Sequence, residues 1–263
     1  MGYGQTFEDV NKINTPDSVS YPWGTLTNGT KTGRYALYRV VLDAGGVQPL
    51  HFHPQGAGRL FVASGDVIFR SLDIEGQLKV CRVPEGKVAP IPAHLVYGLS
   101  SEGGAVAYFA GDPVDDLRAV PVETQAAAVA AVKALGAVAP GGEDTSDVRE
   151  KYWGRIETFC TGDTSAKRLL VLKDAKGSME FHVEKTETYW VHSGLLKVGL
   201  RVGRAENRSF LLKTGESYDI YPGVMHLRTA IEDTVIIEAG TRDSDADSHL
   251  VEDGQTYTHI DSV

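Results

Sequence analysis

The sequence predicts an all-β protein made of two copies of one small barrel, joined by a helix and a linker. Three observations predict this fold: an internal repeat, short strand-like segments bounded by turns, and an ordinary soluble composition. The chain has 263 residues, of which 42% are hydrophobic and 29 are glycine. A chain of this size can bury two cores, and frequent glycines suit many tight turns better than long helices.

The repeat has an offset of 129 residues and needs no gap. His51-Phe52-His53 aligns with Glu180-Phe181-His182, and Gly65 aligns with Gly194. Other matches in this register are Leu42 with Val171, Gly86 with Gly215, Pro92 with Tyr221, Tyr97 with His226 and Ala110-Gly111 with Ala239-Gly240. A Trp-Gly pair opens each half at an offset of 130, as Trp23-Gly24 and Trp153-Gly154. So many landmarks in one register indicate a duplicated domain.

Within each copy the local pattern is that of β-structure. The segments VIFRSL, AVAYFAG, LLKVGLRV and TVIIEAG are short, rich in β-branched and aromatic residues, and bounded by turn residues. Many such strands predict a sandwich or barrel that hides its edges. The one predicted helix runs from about Pro121 to Ala137, with a proline start and an alanine-rich body. We predict an N-terminal barrel over residues 1–120, the helix and linker over 121–150, and a C-terminal barrel over 151–263.

Composition and charge narrow the possible partners. The net charge of −9 argues against a nucleic-acid or anionic-membrane partner, since such surfaces attract basic patches. The N-terminus shows no secretory signal pattern, and no run of 18 apolar residues occurs. Cys81 and Cys160 lie far apart and form no CxxC pair, which favours a reducing cytoplasm. We therefore expect a cytoplasmic protein with a small-molecule substrate, and a homodimer is compatible with this composition.

Four residues of the second copy predict a metal site: Glu180, His182, Glu187 and His226. Glu180 and His182 share one face of a strand, because side chains alternate along it. Glu187 follows a short connection, and His226 follows the turn residues Pro222-Gly223. Two imidazoles and two carboxylates suit Zn, Mn, Fe, Co or Ni, and the ligand set does not decide among them. Iron would favour an oxygenase, and zinc or manganese an isomerase or cyclase. Each residue taken singly is more often a surface charge, so the prediction depends on the set.

The first copy keeps only part of this pattern. His51 and His53 remain, but Gly58 occupies the glutamate position and Tyr97 the last histidine position. One interpretation is a domain retained for packing and pocket shape. The other is a second, weaker metal or ligand site formed by His51, His53 and His94, since His94 lies three residues before Tyr97.

Two further residues of the second copy are candidates for a catalytic role together with Glu180. Arg228 lies two positions after His226, so a continuing strand turns it into the same cavity, where it can bind a carboxylate or phosphate. An arginine that extends out of the barrel mouth is the alternative. Tyr189 shares the face of Glu187 and either lines the pocket or fills the core.

These residues resemble the cupin superfamily, whose first motif has His-x-His, a glutamate and a glycine, and whose second has Pro-x-Gly and a histidine. The second copy keeps the spacing, with Glu180 in place of the first histidine and Tyr221 in place of a proline. Segments KYWG at 151–154, SMEFHVEKTETYWVHSG at 178–194 and YPGVMH at 221–226 are similar to the cupin domain of type II mannose-6-phosphate isomerases. That resemblance covers about 100 residues and places Glu180 where that family has glutamine and Lys185 near its arginine.

The resemblance implies a bicupin with a divalent metal and an isomerase that acts on a sugar or sugar phosphate. Metal-bound carbonyl or hydroxy-carbonyl groups lose a neighbouring proton readily, which is the chemistry of aldose–ketose isomerisation. Other metal-dependent cupin reactions, namely dioxygenase, cyclase or lyase chemistry on a small metabolite, are the alternative among enzymes. The alternative outside enzymes is a sugar- or metabolite-binding bicupin with a structural metal.

Overall fold

The structure is a computed structural model that describes residues 13–30, 32–54, 56–73, 75–113, 118–119 and 139–252. The predicted helix over Pro121–Ala137 lies outside the described residues. Within the described ranges the regular elements are 22 β-strands and one short 3-10 helix, Asp245–Asp247. The prediction of an all-β fold is confirmed.

The first barrel is formed by two antiparallel sheets. Its strands are β1 (Ser18–Tyr21), β2 (Gly24–Asn28), β3 (Ala36–Leu42), β4 (His51–Phe52), β5 (Gly58–Gly65), β6 (Val67–Leu72), β7 (Leu78–Val83), β8 (Val88–Ile91), β9 (Val96–Ser100), β10 (Ala105–Gly111) and β11 (Arg118–Ala119). The six-stranded sheet has the order β1-β2-β3-β10-β5-β8, and the five-stranded sheet has the order β11-β4-β9-β6-β7.

The second barrel repeats this architecture. Its strands are β12 (Ser146–Lys151), β13 (Gly154–Cys160), β14 (Thr164–Val171), β15 (Met179–Phe181), β16 (Glu187–Ser193), β17 (Leu195–Val202), β18 (Arg208–Lys213), β19 (Ser217–Ile220), β20 (Val224–Ala230), β21 (Thr234–Thr241) and β22 (His249–Glu252). The sheet orders are β12-β13-β14-β21-β16-β19 and β18-β17-β20-β15-β22, which match those of the first barrel strand for strand.

The two barrels also share their pairing register. Leu42 lies opposite Ala105, as its counterpart Val171 lies opposite Thr234. His51 lies opposite Tyr97, as Glu180 lies opposite His226. A register shift of one residue turns every side chain to the other face of a strand. The shared register therefore places side chains 129 residues apart at the same points of the two interiors.

Gly24 and Gly154 show why a Trp-Gly pair opens each half. Both have a left-handed φ, of 141° and 143°, respectively. A Cβ on Gly24 would lie 1.9 Å from the carbonyl oxygen of Val41, and one on Gly154 would lie 1.8 Å from that of Leu170. These positions admit only glycine, because any side chain would overlap the neighbouring strand.

Each barrel has its own hydrophobic core between its sheets. The first core includes Trp23, Leu42, Phe69, Tyr97 and Phe109, and the second includes Trp153, Leu169, Tyr189, Leu200 and Ile236.

The described chain divides into two compact units. One comprises Asp17–Asn28 and Tyr35–Thr145, and the other contains the chain from Ser146 onward with Gly29–Arg34 and the stretch that ends at Pro16. In the second unit, Asn14 and Thr30 donate side-chain hydrogen bonds to the carboxylate of Asp219. The boundaries near residues 120 and 150 stay a prediction. Among the described residues no helix is long and apolar enough to span a bilayer.

Candidate metal centre

Strands from both sheets of the second barrel bring the predicted ligands close to one another. Glu180 lies on β15 directly opposite His226 on β20, and Glu187 begins β16. His182 follows β15, on the same face as Glu180 because one residue separates them. One ligand atom from each of Glu180, His182 and His226 lies within 4.8 Å of the other two. No second group of three or more such residues converges elsewhere in the described part of the chain.

Both histidines are oriented by backbone hydrogen bonds. His182 Nδ1 donates to the carbonyl oxygen of Asp247 at 2.9 Å, and His226 Nδ1 donates to that of Val224 at 3.0 Å. Since Nδ1 carries the proton in each ring, Nε2 presents a lone pair to the interior. Metal-binding histidines are commonly fixed by such a bond on the nitrogen that does not bind the metal.

The carboxylate of Glu187 lies beside the Nε2 atoms of both histidines. Its Oε1 lies 3.0 Å from His226 Nε2, and its Oε2 lies 3.8 Å from His182 Nε2. Within the described structure, Glu187 Oε1 and His226 Nε2 are buried and have no hydrogen-bond partner. Two acceptor atoms that face each other at this distance repel unless a proton or a metal cation lies between or beside them. The residues present therefore fit a divalent cation.

The raised pKa of His226 also indicates a site that favours a cation. Burial disfavours the imidazolium, but the adjoining carboxylates of Glu187 and Glu180 raise the pKa of His226 above its ordinary value. The interior therefore stabilises a positive charge at this point, which is a requirement of a cation site.

The other oxygen of Glu187 belongs to a buried charge cluster. Lys185 Nζ lies 2.6 Å from Glu187 Oε2, 2.8 Å from Glu238 and 3.0 Å from Asp243. Lys167 Nζ lies 2.7 Å from Asp243. Burial disfavours the ammonium of Lys185, yet its three carboxylate neighbours raise its pKa well above the usual value. Burial likewise disfavours the charged form of Glu187, but Lys185 and the histidines keep its pKa well below the usual value.

Arg228 points into the interior and not out of the barrel mouth. It is buried, and its Nη1 donates to the hydroxyl of Tyr189 at 3.0 Å. The guanidinium lies 3.7 Å from Glu180 Oε1 and 4.6 Å from the centre of the Trp153 ring. Burial tends to raise the pKa of Glu180, but Arg228, His226 and a hydrogen bond from Ser248 hold it below its usual value. Tyr189 belongs to the core, and its hydroxyl positions Arg228.

A segment after β21, residues 243–248, borders the site and is hydrogen-bonded to two of the candidate ligands. The carboxylate of Asp247 accepts hydrogen bonds from the backbone N–H groups of Val183, Glu184 and Lys185. Its own carbonyl accepts the bond from His182, and Ser248 Oγ donates to Glu180 Oε2 at 2.7 Å. The sequence prediction did not include this segment or the carboxylates of Glu238 and Asp243. The acidic run DSDAD at 243–247 could have marked this segment as part of a charged site, but the run lies outside the spacing pattern of the predicted ligands.

Glu180, His182 and Glu187 line a polar cavity of about 330 Å³. Besides Arg228, four basic side chains line this cavity, together with several acidic and hydroxyl-bearing ones. The lining includes Arg149, Lys151, Lys167 and Lys185, the acids Glu238 and Asp243, the hydroxyl-bearing Tyr152, Ser178, Ser244 and Ser248, and the ring of Trp153. This volume falls within the range of about 300 to 1,000 Å³ typical of small-molecule sites.

The first barrel does not form the predicted second site from His51, His53 and His94. His94 is exposed and lies in a turn with a left-handed φ of 64°. Its counterpart in the second barrel is Gly223, which has a φ of 81°. His94 is therefore an exposed turn residue, whose backbone N–H donates to the carbonyl oxygen of His53 at 2.9 Å. His53 Nε2 instead lies 2.9 Å from the hydroxyl of Tyr97.

Comparisons with known proteins agree with this architecture. Residues 5–127 match the cupin family model. A structure of the oxalate decarboxylase of Bacillus subtilis, from a study of its Mn(II) centres, superposes with a TM-score of 0.67 and 14% identity, covering 90% of this chain and 77% of that one. A structure of the same enzyme at pH 4.6 has a TM-score of 0.65 and 15% identity, with coverages of 87% and 74%. The chain has a bicupin fold.

At this level of identity the similarity shows the bicupin fold alone. No curated protein sequence matches the chain significantly. The family match falls on the barrel that lost its metal motif, while the converging ligands lie in the other barrel. The resemblance of the second barrel to type II mannose-6-phosphate isomerases stays a prediction.

Proposed function

We propose that this bicupin is a metal-dependent isomerase that acts on a sugar or sugar phosphate in the cavity of the second barrel. The observation that carries the proposal is the convergence of Glu180, His182 and His226 at a polar cavity that also contains Arg228. A cavity with charged and hydroxyl-bearing walls suits a substrate with many hydroxyl groups better than an apolar one.

Glu180, His182, Glu187 and His226 would hold the cation, and manganese or zinc suits two imidazoles with two carboxylates. When bound, such a cation polarises a carbonyl group or holds adjacent oxygens of a hydroxy-carbonyl compound. Glu187 would contribute Oε1, because its Oε2 is held by Lys185.

The remaining residues divide the work of binding and proton transfer. Arg228 is placed to bind a phosphate or carboxylate group of the substrate, since a guanidinium pairs with both in a two-point geometry. Glu180 is the most accessible of the four ligands, and its Oε2 is positioned by Ser248. We assign to this oxygen the transfer of a proton between the two carbons that exchange oxidation level. The segment around Asp247 holds His182 and the backbone of residues 183–185 in place beside the cavity.

The test is solvent-deuterium exchange followed by NMR. Metal-free protein is reloaded with Mn²⁺ or Zn²⁺ and incubated in D₂O with a panel of aldoses, ketoses and their phosphates. The expected result is metal-dependent exchange at the carbon next to the carbonyl, with formation of the isomeric sugar. His182→Ala should abolish exchange, whereas His53→Ala, its counterpart in the first barrel, should retain it.

Substrate charge is tested by Arg228→Ala. This variant should raise KM selectively for phosphorylated or carboxylated substrates, while neutral sugars are affected less. Absence of exchange for every sugar with every metal would contradict the isomerase proposal.

A lyase that acts on a small carboxylic acid is the second candidate. Its support is the guanidinium of Arg228 beside the ligand Glu180, together with the fold shared with a Mn(II)-containing decarboxylase. Release of CO₂ from a dicarboxylate without sugar exchange would favour it, and consumption of O₂ by iron-loaded protein would favour a dioxygenase.

A further inference from the structure

The first barrel contains a cavity of about 100 Å³ at the same place in the fold as the metal centre of the second. The offset of 129 places Tyr97 at the position of His226, and Leu99 at that of Arg228. Apolar side chains form most of its wall: Leu26, Val40, Leu60, Leu99 and Phe109. This cavity therefore cannot bind the charged groups that suit the second barrel.

Its few polar groups are only partly satisfied. Gln48 and His53 both line the cavity, and each is 7% exposed. Among the residues that the structure describes, Gln48 Oε1 and His53 Nδ1 are buried and have no hydrogen-bond partner. Unpaired polar atoms are unfavourable in an apolar interior, so a molecule that pairs with them gains affinity from both.

The backbone holds these groups in place. Gln48 N–H donates to the carbonyl oxygen of Leu99 at 2.8 Å, and the Gln48 carbonyl accepts from the guanidinium of Arg70. The His53 ring is held by Tyr97 through Nε2, which leaves Nδ1 for another partner. His51 is fixed by its own bond from Nδ1 to the carbonyl oxygen of Pro49 at 3.0 Å. The cavity is thus a built site and not a packing defect with mobile walls.

We propose that the first barrel binds a small neutral molecule with an apolar body and one hydroxyl group, which pairs with Gln48 Oε1 and His53 Nδ1. The cavity, at about 100 Å³, is smaller than the dry cavity of about 150 Å³ that is known to accept benzene, but it is partly open to the surface, so a single ring or a short branched chain is the upper limit for the body. Tyr97 occupies the place of the last metal ligand, so the site needs no metal. This proposal does not depend on the reaction of the second barrel.

Phenol is the probe, with benzene and benzoate as matched apolar and anionic compounds. The full chain, labelled with ¹⁵N in its histidine rings, is titrated with each compound and followed by NMR. Phenol should bind at least about tenfold more tightly than benzene and than benzoate, since only phenol pairs the two atoms without burying a charge. The resonance of His53 Nδ1 should shift on binding.

Two variants locate the site. Gln48→Met keeps the length of the side chain and should weaken phenol binding about tenfold, whereas Gln77→Met, at an exposed turn of the same barrel, should leave it unchanged. Val40→Phe should fill the cavity and abolish binding, with circular dichroism to verify its fold. If Val40→Phe fails to fold, the two methionine variants still decide the question.

Three results would overturn the proposal. Equal affinity for phenol and benzene would show that the polar atoms do not recognise a hydroxyl group. Tighter binding of benzoate would show an anion site. Phenol binding without a shift at His53, or unchanged by Gln48→Met, would place the compound elsewhere.

Discussion

The two barrels have the same strand order and register, but the interior of the second is charged and that of the first is mostly apolar. In the second barrel Lys167 on β14 lies opposite Glu238 on β21, and in the first the corresponding pair is Tyr38 and Phe109. The rings of Tyr38 and Phe109 lie 6.4 Å apart, in place of an ion pair. A strand register can therefore be kept while the interior changes from a charged site to an apolar one.

The difference between the two interiors extends to the residues around the candidate ligands. By the offset of 129, Gly56 corresponds to Lys185 and Gly58 to Glu187. A Cβ on Gly58 would lie 2.5 Å from the ring of Phe109, so the phenylalanine and the missing glutamate are linked. Once Glu238 is replaced by a large ring, a side chain no longer fits at the glutamate position. The candidate metal ligands and the charge cluster beside them are therefore present together in the second barrel and replaced together in the first.

The largest expected difference between the barrels is in metal affinity. His182→Ala and His226→Ala should each weaken binding of Mn²⁺ or Zn²⁺ by about 100-fold or more, since each removes a ligand. The matched first-barrel variants, His53→Ala and Tyr97→Phe, should leave affinity unchanged. Metal content after dialysis against a chelator measures both. Equal loss from first-barrel and second-barrel variants would break the comparison.

The shared backbone predicts equal effects at the paired glycines. Gly24→Ala and Gly154→Ala should each destabilise their own barrel by about 3 kcal/mol or more, because Cβ overlaps a strand carbonyl at a left-handed φ. Gly86→Ala, at a left-handed φ of 80° but in open space, should cost only about 1 kcal/mol. Urea denaturation measures all three. A small effect at one of Gly24 and Gly154 but not the other would show that the strands pair differently.

The first barrel should be the acid-sensitive one through His51. Burial, followed by the charges of His53 and Arg70, lowers the pKa of His51 to about 4, although the bond to Pro49 opposes this. The unfolded chain binds the proton below a pH of about 6.5 and the folded chain only below about 4, so stability falls as pH decreases between these values.

From pH 7 to pH 5 this group should remove about 2 kcal/mol from the stability of the first barrel. His51→Gln should be less stable at pH 7 but should lose less stability between the two pH values. Denaturation curves at both pH values test it, and an identical pH dependence in the variant would contradict the assignment.

The smallest expected effect is a gain of weak metal binding by the first barrel. Tyr97→His places a third imidazole beside His51 and His53, at the position of His226, and should create a weak site. Without a glutamate at Gly58 and its lysine partner, we expect binding at least about tenfold weaker than in the second barrel. Metal titration of the variant in a background that also carries His182→Ala and His226→Ala measures the new site with the second-barrel histidine ligands removed. Failure to bind any metal would show that three converging imidazoles are insufficient in this interior.

The sequence predicted the two barrels and the proximity of the four candidate ligands because both depend on local spacing. The alternation of Glu180 and His182 along a strand, and the constant offset to His51 and His53, are visible without a structure. The inward direction of Arg228 followed from the same alternation, although the sequence alone also allowed an outward path.

Other parts of the site depend on contacts between distant segments. Asp247 binds the backbone of residues 183–185, about 60 residues earlier in the chain, and no spacing rule connects them. His94 was predicted to join the first-barrel histidines because it lies near Tyr97 in sequence. In the structure His94 is exposed, in a turn with a left-handed φ at the position of Gly223, and it does not join His51 and His53 in a group of converging ligands among the described residues.

The central claim is that the second barrel alone holds one divalent cation through two imidazoles and carboxylates. The most direct test is Mn²⁺ titration of metal-free protein, with pulsed electron paramagnetic resonance to count the nitrogen atoms bound to the metal. We predict one tight Mn²⁺ per chain with two histidine nitrogens, falling to one nitrogen at residual sites in His182→Ala and unchanged in His53→Ala. Two tight equivalents per chain, or a nitrogen count that His53→Ala lowers, would contradict the claim.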